Sequence, residues 1–262
     1  MLYFRLDLNT ICAIILKRGK KMKKPIIVYW SPSVSYWNML YPEPKTVMKD
    51  LINNRTKDRG KFNFLNCPAF ANKNNKIYSF LFPITCGYEW DYSDFDNRFF
   101  RPIKPQEPSI GYEELRPPTV NNSPQISFTL SYLFFCEESL EATFTPPYFS
   151  KPKYTKNGAV APGTMDIGQW FRPYPIEITF WEEKGTVMFE NNEPLFYVEF
   201  LTDRPIVLKR FMPNDKIMEY HNACVNSPRQ IESKVPLVDR YKRFNDSKMG
   251  KAIIKEIKEN LL

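Results

Sequence analysis

The chain has 262 residues, 43% of them hydrophobic and 16% aromatic, which supplies a sizeable core and argues against disorder. Its formal net charge is +8, but Arg5, Lys17, Arg18, Lys20, Lys21, Lys23 and Lys24 cluster at the start beside one acid, Asp7. The remainder carries 30 basic and 28 acidic residues, too balanced for the basic stripe that tracks nucleic acid, so nucleic acid is not an expected partner.

Residues 1–21 differ in composition from the rest of the chain and read as a basic extension outside the fold. Met22 offers a second start just before a strand-like run, Pro25 to Trp30. The apolar stretch Ile11 to Leu16 is too short for a bilayer, and its basic flank comes after it, the reverse of a signal peptide. No membrane association is expected. Next comes a loop with Tyr36, Trp37, Tyr41, Pro42 and Pro44. A short helix is predicted from Lys45 to Arg55, with Val47, Met48, Leu51 and Ile52 on one face.

From Phe62 the pattern turns to strands: Phe62–Cys67, Ile77–Phe82, Gly87–Tyr92 and Arg98–Arg101, separated by Asn, Asp and Pro. Residues 102–124 contain six prolines and read as a long surface loop. Alternation is clearest in the second half. Ile126, Phe128, Leu130, Tyr132 and Phe134 face one way, with Ser127, Thr129 and Ser131 opposite. Ile176, Ile178 and Phe180 form a second such set, and Phe196, Val198 and Phe200 a third. Period two with one polar face means half-buried antiparallel strands. Hairpin turns are predicted at Glu182–Gly185 and Glu190–Pro194. Proline outnumbers glycine 23 to 9, which argues against long helices. A C-terminal amphipathic helix is nevertheless expected over residues 247–262, capped by Ser247, with Met249, Ile253, Ile257 and Leu261 on one face.

Together these readings predict a mainly β fold. It is an antiparallel β-sandwich or jelly roll of about ten strands with a short N-terminal helix. Residues 22–246 form its β-rich domain, and the C-terminal helix packs on it.

The chemistry is sparse. His221 is the only histidine and reads as a loop residue. Histidine-rich metal sites and Ser-His-Asp triads therefore lack their parts. Cys12, Cys67, Cys86, Cys136 and Cys224 are odd in number and dispersed, the pattern of reduced, mostly buried thiols in a cytoplasmic protein. His221 with Cys224 is at most half a zinc site. Nine glycines without a phosphate-binding motif leave no nucleotide loop. Glu89, Asp91, Asp94 and Asp96 read as a solvated strand end and turn. No metal and no cofactor are expected.

The segment with most chemical character runs from Pro162 to Arg172. Gly163 and Gly168 suggest special backbone geometry. Asp166, Trp170 and Arg172 offer an acceptor, a stacking face and a bidentate donor, and Tyr148 stands in the preceding Pro-Pro-Tyr loop. Two readings stay open. In one, Asp166 pairs with Arg172 beneath a packed Trp170 in a structural corner; in the other, Asp166, Trp170, Arg172 and Tyr148 bind a ligand.

The strand Ser127–Phe134, the loop Thr145-Pro146-Pro147-Tyr148, the segment Gly163–Arg172, the strand Ile176–Phe180 and the stretch Phe189–Leu195 resemble a family of β domains without assigned activity. Weaker echoes occur at Cys67-Pro68-Ala69 and Trp90-Asp91. The family occurs in tailed, including marine, phages and in bacteria. The resemblance spans most of residues 62–211 and implies a phage-encoded β protein in the host cytoplasm or the virion. Gly163-Thr164-Met165-Asp166 followed by Asn192–Val198 is also faintly similar to the order in deoxyuridine triphosphatases. The chain lacks their Ser-containing phosphate motif and Gly-rich tail, so no catalytic set transfers. The resulting expectation is a non-enzymatic binding or structural module acting through protein contacts or self-association. The alternative is an enzyme or a binding protein for a small molecule, nucleotides included, with its site at Asp166, Trp170 and Arg172.

Overall fold

A computed structural model describes residues 23–33, 39–53, 67–94, 96–103, 110–115, 124–230, 236, 239 and 248–262. The expectations for residues 1–21, the Met22 start, Cys12, Tyr36, Trp37, the run 62–66 and Ser247 lie outside them.

Fourteen strands occur among the described residues. The first half contributes β1 (Ile26–Pro32), β2 (Lys45–Thr46), β3 (Ile77–Leu81), β4 (Cys86–Asp91), β5 (Phe99–Pro102), β6 (Tyr112–Glu114) and β7 (Gln125–Cys136). The second contributes β8 (Glu141–Thr145), β9 (Gly158–Val160), β10 (Gly163–Asp166), β11 (Pro173–Phe180), β12 (Lys184–Phe189), β13 (Pro194–Phe200) and β14 (Ile206–Arg210). The helices are α1 (Val47–Asn53), α2 (Pro68–Asn74), α3 (Asp215–Gln230) and α4 (Met249–Glu259).

The first sheet has the order β14-β1-β7-β11-β9, with β6 also pairing to β7; the second is β10-β8-β13-β3-β2 and the third β12-β4-β5. The fold is mainly β, as its sequence predicts. It has more strands than the ten or so expected, and one pairing is parallel, β1 beside β14 with Ile26 opposite Ile206.

The first sheet packs its inner face against the other two. Aromatic rings bridge the layers: Trp30 meets Phe80 at 5.7 Å between centroids, Tyr132 meets Phe196 at 5.1 Å, and Tyr174 stacks on Phe144 at 3.7 Å. Against the third sheet, Phe128 lies 5.2 Å from Tyr88 and Phe180 lies 4.3 Å from Trp90. These edge-to-face and offset pairs add specificity to the area they bury. The inward residues are those that the alternation assigns, and all of Ile126, Phe128, Leu130, Tyr132 and Phe134 are buried.

The outer face of the first sheet carries a second core. Tyr29, Leu133, Phe135 and Phe171 pack with Ile217 and Cys224 of α3 and Ile253, Ile254 and Ile257 of α4. The C-terminal helix thus packs through its predicted face, except that Leu261 lies beyond its end and bridges to Phe211. The 16-residue helix α3 is a correction to the view that proline argues against long helices. Asn214 starts it, its Oδ1 accepting from the Ile217 N–H at 2.8 Å, a bond that satisfies one open donor of the first turn. The same side chain donates to Glu256 of α4 at 2.8 Å, and Lys216 pairs with Glu256 at 2.6 Å. The hydrogen bond from Lys216 holds the Glu256 carboxyl below its ordinary value of 4.5. The α3–α4 link is therefore at full strength above that value and fades as pH falls through the lower, folded-state one.

Three other sequence readings need correction. Lys45–Thr46 form a strand against β3, so the first helix starts at Val47, and Ile52 is 49% exposed rather than on its buried face. Within residues 102–124, Tyr112–Glu114 pair with β7 and Ile110 is buried. Finally, Glu182–Gly185 and Glu190–Pro194 are not hairpin turns. β12 pairs with β4 in the third sheet, while β11 and β13 belong to the first and second. These turns carry the chain between layers. Asn192 takes a left-handed φ of 65°, a conformation Asn tolerates better than most residues. Turn chemistry is the same whether the chain reverses beside itself or turns a corner.

If the second core holds the helices as described, Ile253→Ala should cost about 2–5 kcal/mol, the range for deleting a buried Ile side chain. Ile52→Ala should change stability by only about 0.5 kcal/mol. Urea denaturation of both variants beside the wild type tests this, and equal midpoints for the two would refute the packing.

Candidate functional site: a cleft beside Arg172 and an aromatic platform at Tyr148

The four sequence-predicted site residues do not converge. Asp166 ends β10, opposite Glu141 of β8. It accepts hydrogen bonds from the Ser139 hydroxyl, from the Leu140 N–H at 3.1 Å and from the Gly168 N–H at 2.9 Å. Its carboxylate thereby clamps the turn that leaves β7. Gly168 fits there because a Cβ would stand 1.9 Å from the Glu138 carbonyl oxygen. Nothing lies within 4 Å of a Cβ at Gly163, and neither glycine has a positive φ. The special geometry expected of them is thus a close backbone approach, at Gly168 alone.

Arg172 does not pair with Asp166, which corrects the structural corner as the sequence suggested it. Phe171 is fully buried in the second core, and this carries Trp170 and Arg172 to the outer face of the first sheet, away from the β7–β8 turn. The Arg172 guanidinium lies over the half-buried Trp170 ring, 4.6 Å from its centroid, a cation–π arrangement. Tyr148 lies past the opposite end of β8, since Phe144 pairs with Gly163 and Glu141 with Asp166.

Arg172 lines a cleft of about 540 Å³ on the outer face of the first sheet. Its floor is the polar face of β7, Ser127, Thr129 and Ser131, with Pro173 and Pro175 of β11. Its wall is α3, through His221 and Val225, and Glu113 of β6, opposite Ser127 in the register, also lines it. Arg172 makes no hydrogen bond or ion pair among the described residues.

His221 sits on α3, not in a loop. Its Nδ1 is 3.1 Å from Asn222 Oδ1. Burial lowers its pKa, and the nearby Arg172 charge lowers it further, so the ring is neutral at neutral pH. The sequence displays the hydroxyl row of β7 as a solvated face. Nothing in it announces that a helix flanks that row, although the seven-residue interval between Ile217 and Cys224 is a helical signal.

Tyr148 belongs to a separate surface, the outer face of the second sheet. The residue is 54% exposed, yet its ring is held edge-on by Phe149 at 4.7 Å and by Tyr197 at 5.2 Å. Phe149 in turn meets Phe70 of α2 at 4.9 Å, and the Tyr197 and Ser150 hydroxyls are 2.9 Å apart. Of the other loop aromatics, Tyr41 is buried against Tyr132.

The remaining reactive groups serve structure. Burial pushes the thiols of Cys86, Cys136 and Cys224 up to about 12, which leaves them protonated and poor nucleophiles. Among the acids, Glu89 pairs with Arg101, Asp91 with Lys184, and Asp94 binds Asn97. Among the described residues no three His, Cys, Asp or Glu side chains gather as a metal site, and no helix is long and apolar enough to cross a membrane. A second cavity, about 490 Å³, lies between Glu137 and the start of α4. Its lysines, Lys248 and Lys251, are exposed.

Asp166→Ala strands two backbone donors and should cost about 1–3 kcal/mol. Arg172→Ala, which removes no hydrogen bond within the described residues, should cost about 1 kcal/mol or less. Chemical denaturation orders them, and a wild-type midpoint for Asp166→Ala would remove its clamping role. In a thiol-labelling assay at pH 8, Cys67, which is exposed, should react at once, whereas Cys86, Cys136 and Cys224 should wait for unfolding. Immediate labelling of all three would contradict their burial.

Set against known proteins, the chain matches no family model, no curated protein and no solved structure.

Proposed function

We propose that the protein is a non-enzymatic binding module that acts through protein contacts, with Tyr148 as an anchor. The observation that carries this is an exposed ring already fixed by two neighbours. An aromatic anchor that gives up little conformational freedom on association contributes disproportionately to an interface. The platform beneath it is part of the fold, because Tyr197 packs with Val47 and Ile77 in a third apolar cluster. Asp166 and the buried thiols, committed to structure, favour binding over turnover. The resemblance to phage and bacterial β domains supports a phage-encoded role in the host cytoplasm or virion.

The test places a photo-cross-linking phenylalanine derivative at position 148, with position 186 on the third sheet as control, in cells expressing the protein. Thr186 is exposed. A discrete adduct at 148, to another protein or to a second copy, that excess wild-type protein competes away and excess Tyr148→Ala does not, supports the reading. Identical adducts from both positions, or none, refute it.

A further inference from the structure

We infer that the cleft between β7 and α3 binds a small molecule through one oxyanion, a carboxylate or a phosphate, held by Arg172. This site is distinct from the Tyr148 surface and does not depend on it.

A half-buried guanidinium has five N–H donors in a rigid fork. In this fold Arg172 offers them to the cleft without a carboxylate partner among the described residues, while Trp170 supports its face at 4.6 Å. Stacking orients the guanidinium plane and leaves its edge for planar, bidentate recognition of an oxyanion.

The surroundings suit that task. Ser127, Thr129 and Ser131 recur every second residue along one face of β7, so their hydroxyls form a row of donors along the floor. Ser131 already shares a hydrogen bond with Ser33, which leaves Ser127 and Thr129 as the freer pair. Pro173 and Pro175 on the floor and Val225 on the wall supply apolar surface for the body of the ligand. A volume of about 540 Å³ falls in the range of small-molecule sites, roughly 300–1,000 Å³. Glu113 and Glu177 flank Ser127 in the strand register, so the oxyanion sits at the Arg172 end of the row, and a second negative group is repelled, which favours a ligand with a single oxyanion over a polyphosphate. Asp166, locked in the β7–β8 turn, takes no part.

The experiment is isothermal titration of the full chain with four probes: inorganic phosphate, phenyl phosphate, benzoate and benzyl alcohol as the uncharged control. Binding of phenyl phosphate or benzoate, with benzyl alcohol inert, is the expected result. Comparison of those two identifies which oxyanion is preferred, and weaker binding of inorganic phosphate reports the apolar surface. Arg172→Gln should weaken the preferred probe by about ten- to a hundredfold, the scale of a charged hydrogen bond. Arg172→Lys, which keeps the charge but loses the fork, should fall between. Thr129→Val, on an exposed floor position, serves as a second variant and should weaken binding several-fold without altering the melt. Tyr148→Ala should leave affinity unchanged. No binding of any probe up to about 10 mM, or equal affinity for wild type and Arg172→Gln, overturns the inference, and the cross-linking result at position 148 stands or falls separately.

Discussion

Everything in this molecule is organised about the two faces of β7. A strand presents successive side chains to opposite sides, so its faces can be specified independently, and in β7 they differ. The inner face is apolar from Ile126 to Phe134 and carries Tyr132 and Phe134, both of which meet Phe80 at 5.2 Å across the layer gap. The outer face changes character midway. Ser127, Thr129 and Ser131 are polar, whereas Leu133 and Phe135 are buried in the second core. That change decides where α3 and α4 seal the sheet and where a cleft is left beside them.

Four tyrosines of the core bond their hydroxyls to backbone carbonyls. Tyr132 donates to the Leu81 carbonyl at 3.1 Å, Tyr88 to Ile110 at 3.2 Å, and Tyr174 to Ala161 at 2.7 Å. Tyr154 donates to Leu195. Each bond joins a ring in the core to backbone on another segment, and each avoids the cost of an orphaned buried donor. Burial raises the pKa of all four phenols, which keeps them protonated, and so donors, at neutral pH. Residues 110–115 gain their anchor in this way: Ile110 accepts from Tyr88, and Tyr112 donates back to Phe100.

The two candidate binding surfaces lie on different sheets and use different physics. Tyr148 offers a rigid apolar anchor whose supports, Phe149 and Tyr197, are themselves packed. Arg172 offers a charge whose support is Trp170. In both cases the residue available to a ligand is held by an aromatic neighbour rather than by a polar network, so it is oriented without being neutralised. Asp166 is the opposite case, since three donors from the chain around it already engage its carboxylate. Its chemical type alone made it a site candidate, and its surroundings make it a brace.

The β class, the inward residues of β7, β11 and β13 and the apolar face of α4 were legible in the amino-acid sequence. Period-two and period-3.6 burial are local properties that each segment records in its own side chains. The chain breaks just before β12 and just before β13 were legible too, for the same reason, although Lys184, Gly185 and Pro194 belong to the strands. What those breaks connect was not. Whether β12 pairs with β11 or with β4 depends on strands almost a hundred residues away, and turn residues carry no record of it. The same holds for the candidate sites. Sequence proximity grouped Asp166, Trp170 and Arg172, but a buried Phe171 turned the last two onto the outer sheet face, and only there did α3 bring His221 beside Arg172. Local periodicity settled which side of each strand is buried, whereas long-range pairing settled which charges found partners and which were left facing a cleft.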